Sequence, residues 1–132
     1  MNTSELTGAA LDWAVAKCEG ATDEWHTDKP FFWDGVPCVR AAGYDVQYSP
    51  STNWAQAGPI IERERITLNY ENLYGTGLNQ AYYLSTLFDD DIDGWMQNGP
   101  TALIAAMRCY VTRKLGEEVD VPVELINQGE TA

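Results

Sequence analysis

Basic residues are scarce in this chain: eight Lys and Arg stand against twenty Asp and Glu, leaving a net charge of −12 over 132 residues. That argues against a nucleic-acid polymer as partner, because phosphate-backbone recognition draws on clustered Lys and Arg. Histidine is scarcer still. His26 is the only one, which removes any multi-histidine metal site and leaves a single imidazole as candidate base. Cys18, Cys38 and Cys109 form no CxxC pair, and the odd count fits free thiols packed as small apolar groups in a reducing compartment. No apolar run approaches the roughly 18 residues of a membrane-spanning helix. The opening MNTSELTGAA lacks the basic start and apolar stretch of a secretory signal. These absences predict a soluble intracellular protein. GxSxG, Walker and GxGxxG motifs are missing as well.

What is present suffices for a folded domain. Apolar residues make up 45% of the chain and charged ones 21%, a balance that buries a core rather than staying disordered. The length predicts one domain, residues 1–132. Five Trp, seven Tyr and three Phe are large packing units, and a small Trp-rich domain tends to leave some of them at a binding surface. Exposed aromatic surface of this kind favours a homo-oligomer.

Along the chain, NTSELTGAALDWAVAKCEG reads as a helix from Ser4 to Glu19, capped by Thr3 or Ser4 and stopped at Gly20. Leu6, Ala10, Trp13 and Ala14 form its apolar stripe, widened by Leu11, Val15 and Cys18. PFFWDGVPCVR fits two short strands about an Asp34–Gly35 turn. PIIERERITLNY alternates well enough to predict strand, with Glu62 and Glu64 on one face and Arg63 and Arg65 on the other. LNQAYYLSTLF suits either a short helix or a strand. NGPTALIAAMRCYVTRKLG is the plainest helix, with Pro100 in its first turn and Gly116 as its stop. Leu103, Ala106, Met107, Tyr110, Val111 and Leu115 line its inner face, with Arg108, Thr112, Arg113 and Lys114 away from it. The tail EEVDVPVELINQGETA predicts a short edge strand and a frayed end. The sum is an α+β fold: a small, mostly antiparallel sheet, two principal helices and long ordered loops.

Three blocks resemble a known family. The opening ELTGAALDWAVAKCEG, the central STNWAQAGPIIERERI and the closing GPTALIAAMRCYVTRKLGEEVDVP are similar, in that order, to the NinX-like family of short bacteriophage proteins. The resemblance covers about half of the chain. It implies a phage-borne accessory protein working in the host cytoplasm and supplies no catalytic residue to carry over. NLYGTGLNQAYYLSTLFDDDID matches no motif of that family.

Several constellations bear on function. DDDIDGWMQNGP begins as a calcium loop does, with Asp89, Asp91 and Asp93 two apart and Gly94 following. Position 12 of such a loop, however, is Pro100, where a bidentate carboxylate is required. The segment reads as an exposed acidic turn, with weak calcium binding through Asp89, Asp91 and Asp93 as the alternative. The carboxylates of Glu62 and Glu64 are candidates for acid–base work, yet their alternation with arginines suits an ion-paired surface better. Too little of a catalytic checklist is met to predict an enzyme.

YSPSTNWAQAGP is more suggestive. Ser51, Thr52, Asn53 and Gln56 cluster polar groups about Trp54, a mix that stacks a ring on the indole and hydrogen-bonds its edge. Gly99 and Thr101 precede a helix whose first amides form an anion seat, and Arg63, Arg65 and Arg108 are candidate sources of local positive charge. The opposing reading places Trp54 in the core and the polar cluster in turns. Two functions follow: a non-enzymatic accessory protein that sequesters a small anionic, nucleotide-derived signal of host defence without a cofactor, or an acidic inhibitor of a basic host protein.

Overall fold

The computed structural model describes residues 1–41, 43–71, 78–83 and 96–125. After a single 3-10 turn at Thr3–Glu5, the elements run α1 (Gly8–Cys18), β1 (Phe31–Trp33), β2 (Val36–Ala41), β3 (Tyr44–Gln47), α2 (Trp54–Glu64), β4 (Ile66–Glu71), β5 (Leu78–Tyr83), β6 (Met96–Gly99) and α3 (Ala102–Leu115). The fold is α+β as expected. It carries two three-stranded antiparallel sheets, β1-β2-β3 and β4-β5-β6, and a third helix, α2, that the sequence pattern did not announce.

The first helix starts later than its periodicity suggests. Leu6 and Thr7 are extended, and the Thr3 hydroxyl, expected as a cap, instead donates to the Gly116 carbonyl at 2.7 Å. A local capping bond has been exchanged for one that ties the N-terminal turn to the end of α3. The apolar stripe holds: Leu6, Ala10, Leu11, Ala14 and Val15 are buried. The β1–β2 hairpin also forms as read, with Asp34 and Gly35 both at positive φ, the backbone a two-residue hairpin turn demands.

The segment PIIERE is helix, not strand. Asn53 caps α2 by accepting the Ala55 N–H at 2.9 Å, and buried Ala57 and Ile60 with half-buried Ile61 and Glu64 fall at helical spacing. Two periodicities overlap in this stretch, and Pro59 argues against a helix interior. In the structure Pro59 faces solvent, and so does Ala55 one turn back, whose carbonyl loses its helical donor on the open side of α2 rather than in the core. Only from Ile66 onward does the strand expectation hold. Leu78–Tyr83 resolves as strand, because it pairs with β4 on one edge and β6 on the other.

Helix α3 is the centre of the molecule. It packs against β4, β5 and β6 and also against α1 and α2, so it is buried nearly all round rather than on one face. Arg108 and Thr112, expected to point away, are buried, while Leu115, expected inside, is exposed. Polar groups inside need partners. Arg108 donates to the carbonyls of Leu6 (2.8 Å) and Asn98 (2.7 Å), and the Thr112 hydroxyl donates to the Arg108 carbonyl and accepts from Gln97. Thr101 caps the helix by accepting the Ile104 N–H, which places Pro100 just before the helix instead of inside its first turn. Among the described residues of the tail the expected edge strand is not seen; the tail makes instead the isolated antiparallel bridge Asn2 to Glu118.

Candidate functional site

The loop from Tyr48 to Asn53 is wound tightly. Thr52 and Asn53 both donate their N–H groups to the Ser49 carbonyl, and Gln56 braces the turn by accepting from Ser49 N–H and donating to the Gln47 carbonyl. Tyr48 and Pro50 are buried, which anchors the loop and leaves Thr52 and Trp54 outward. Facing it is the entry to α3. Between the two lies a cleft of about 270 Å3 lined by Ser51, Thr52, Trp54, Thr101, Ala102, Leu103 and Ile104.

Two helices therefore begin at one cleft. The first turn of any helix leaves amides without an internal acceptor and carries a partial positive charge. Here the Asn53 and Thr101 caps use the amides of Ala55 and Ile104, leaving those of Trp54, Ala102 and Leu103 as the open donors. Among the described residues, no charged side chain lines the cleft, a local exception in a chain carrying −12. The Trp54 indole is 57% exposed, so the ring stands beside the hollow and not in the core.

Below the cleft, Asp12 accepts the Ser51 N–H at 2.8 Å. Burial pushes the Asp12 carboxyl up to about 6, against the opposing pull of the Ser51 backbone and hydroxyl. Although that hydroxyl lies near enough to favour the anion, it makes no hydrogen bond of acceptable geometry. Ser51 Oγ is the buried side-chain polar atom left unpartnered among the described residues. A buried hydroxyl without a partner costs stability unless something else engages it.

Of the residues singled out from sequence, Ser51, Thr52, Trp54 and Thr101 come together at this cleft. Asn53 and Gln56 stand beside it as cap and brace. Gly99 ends β6, where a Cβ would lie 2.7 Å from the Ala105 nitrogen; its smallness allows the chain to pass close to α3. The three arginines do not converge. Arg63 and Arg65 sit at the far end of α2, about 15 Å from its start at 1.5 Å per residue. Arg63 holds Glu19 through both guanidinium nitrogens, at 3.1 and 2.8 Å, and Arg108 is spent on backbone carbonyls. The positive character here comes from backbone, not side chains. The first-turn amides of α3, which are those of Ala102 and Leu103, were expected from sequence as an anion seat; the supporting Asp12 was missed, its one available signal a carboxylate set within the apolar run LDWAVA.

Other chemistry is little favoured. Glu62 and Glu64 do not share a strand face, and Glu64 is ringed by Arg63, Arg113 and Lys114 within 4.0 Å. Burial holds the Cys18 thiol up at about 12 and raises Cys38 too, the reverse of an activated nucleophile. Asp89, Asp91 and Asp93 lie outside the described residues.

Residues 2–114 match the family described as Bacteriophage P22, NinX. The chain belongs to this NinX family. Membership supports the role of a phage accessory protein. No curated protein matches the chain significantly. Both halves of the cleft, Ser51–Trp54 and Thr101–Ile104, fall within the NinX match. Among the described residues, no helix is long and apolar enough to cross a membrane.

Proposed function

We propose that this NinX-family protein is a non-enzymatic phage accessory factor that sequesters a small anionic, nucleotide-derived ligand of host defence. The observation that carries the reading is the meeting of two helix N-termini at a cleft whose described lining residues are all uncharged, with an exposed indole at its edge. A phosphate takes the open amides of Trp54, Ala102 and Leu103, the Ser51 and Thr101 hydroxyls supply further hydrogen-bonding groups, and a base stacks on Trp54. The volume, about 270 Å3, falls just below the usual range of roughly 300–1,000 Å3 for small-molecule pockets. It suits one phosphate with part of its nucleoside, the remainder lying outside.

Thermal denaturation with a panel of cyclic and linear nucleotides tests this, since a ligand of the native state raises the melting temperature. A shift of several degrees with one class, lost in a folded Trp54→Ala variant, is the expected result. No shift across the panel removes the reading.

A further inference from the structure

The sheet β1-β2-β3 presents a second surface, independent of the cleft. Phe31, Trp33, Val36, Cys38, Arg40 and Asp45 share its outer face, because each lies opposite or two residues from another in the ladder. Trp25 folds back over this face. Its ring packs 6.4 Å from that of Phe31, and its indole N–H donates to Asp45 at 3.2 Å. The Arg40 guanidinium stacks 5.6 Å from the same indole and pairs with Asp45 at 3.3 Å. That cluster seals Phe31, which is 1% exposed.

Among the described residues, nothing similar covers the hairpin tip. Trp33 is 70% exposed and its cross-strand partner Val36 is 41% exposed. Beside them opens a cleft of about 570 Å3, lined by Asp23, Phe32, Trp33, Asp34 and Gly35. Its walls offer an aromatic face and two carboxylates, and no cation lines it among the described residues. Arg40, the cation of this sheet face, is already engaged by Asp45 and Trp25. The pair of features is complementary to a guanidinium or ammonium: the ring attracts it through its quadrupole, and the carboxylates pair with it.

We infer that the Trp33 hairpin is a docking surface for a basic segment of another protein, with an Arg or Lys side chain seated between Asp23 and Asp34 against the indole. A protein fits better than a free amine, because the exposed apolar surface continues past the cleft onto Val36 and Trp25. A second copy of this chain is disfavoured, because it also carries −12. The same charge steers a basic partner toward the surface.

The test uses a fluorescently labelled peptide of alternating Arg and Gly, with a Glu-for-Arg peptide as control, read by anisotropy at low and moderate salt. Trp33→Ala is expected to weaken binding about tenfold. The double variant Asp23→Asn/Asp34→Asn is expected to weaken it more than Glu5→Gln/Glu124→Gln, which removes the same charge elsewhere. Asn tolerates the positive φ of position 34, so the turn survives, and this pair decides the matter even if Trp33→Ala misfolds. Equal losses in both double variants, or no preference for the Arg peptide, overturn the inference. So does self-association in sedimentation that Trp33→Ala abolishes, which would make a second copy the occupant.

Discussion

Asp12 on α1 accepts the backbone N–H of Ser51 at 2.8 Å, thirty-nine positions later in the chain. This one buried bond fixes the loop that presents Thr52 and Trp54, so α1 supports a cleft it does not line.

The burial of that carboxylate, which outweighs the bond, makes stability depend on pH with an unusual sign for such a group. Burial raises Asp12 from 3.8 to about 6, so between those values the folded state holds a proton that the unfolded chain has released. Stability therefore falls as pH rises through this window and levels off above it. The full effect is on the order of 2–3 kcal/mol. Asp12→Asn keeps an oxygen for the Ser51 N–H and never ionises. Urea denaturation from pH 4 to pH 8 should lose that slope in the variant; an unchanged profile would assign the slope to other groups.

Two glycine-to-alanine changes should differ sharply in cost. Gly58 lies in the interior of α2 with open space around a would-be Cβ apart from its neighbour Pro59. The helix gain of about 0.5–1 kcal/mol is opposed by crowding of that Cβ against the following proline ring, so Gly58→Ala is expected to be near neutral. Gly99→Ala places its methyl 2.7 Å from the Ala105 nitrogen and 3.1 Å from its Cα. Backbone does not yield as a side chain does, and a loss of about 1–3 kcal/mol is expected. Equal drops in melting temperature for both would contradict the packing described at β6 and α3.

Tyr110 carries a third prediction. Its hydroxyl, within a side chain 1% exposed, donates to Glu19 and accepts from Arg63 at 3.1 Å. Burial and the Glu19 carboxylate both push its ionisation upward, so it stays a neutral donor throughout the working range. Tyr110→Phe leaves Glu19 with one fewer donor and should cost about 1–2 kcal/mol. Chemical denaturation measures this; a neutral outcome would show that Arg63 alone satisfies Glu19.

Salt separates the two proposed interactions. A nucleotide anion approaches against the net charge of −12, and screening relieves that repulsion, so its affinity should hold or rise between 50 and 300 mM salt, over which the Debye length shrinks from roughly 14 to 6 Å. A basic peptide at the Trp33 hairpin is drawn in by the same field and should bind more weakly as salt rises. Titration calorimetry across that range reads both slopes. A nucleotide affinity that collapses with salt would move its site onto exposed cationic side chains, away from the helix N-termini.

The chain's own local chemistry settled the apolar stripe of α1, the Asp34–Gly35 hairpin, the span of α3 and the α+β class, because each rests on neighbours within a few residues. The polar cluster about Trp54 and the cap at Thr101 were legible for the same reason. Tertiary structure decided the rest. Solvent on one side and Ala57 and Ile60 packing on the other turned PIIERE into helix despite Pro59, and burial on all sides drew Arg108 and Thr112 inward. The arginines expected at the anion seat went instead to Glu19 and to backbone carbonyls. What replaced them, the meeting of two helix starts forty-eight residues apart at one hollow, has no local signature, since only packing brings such distant amides together.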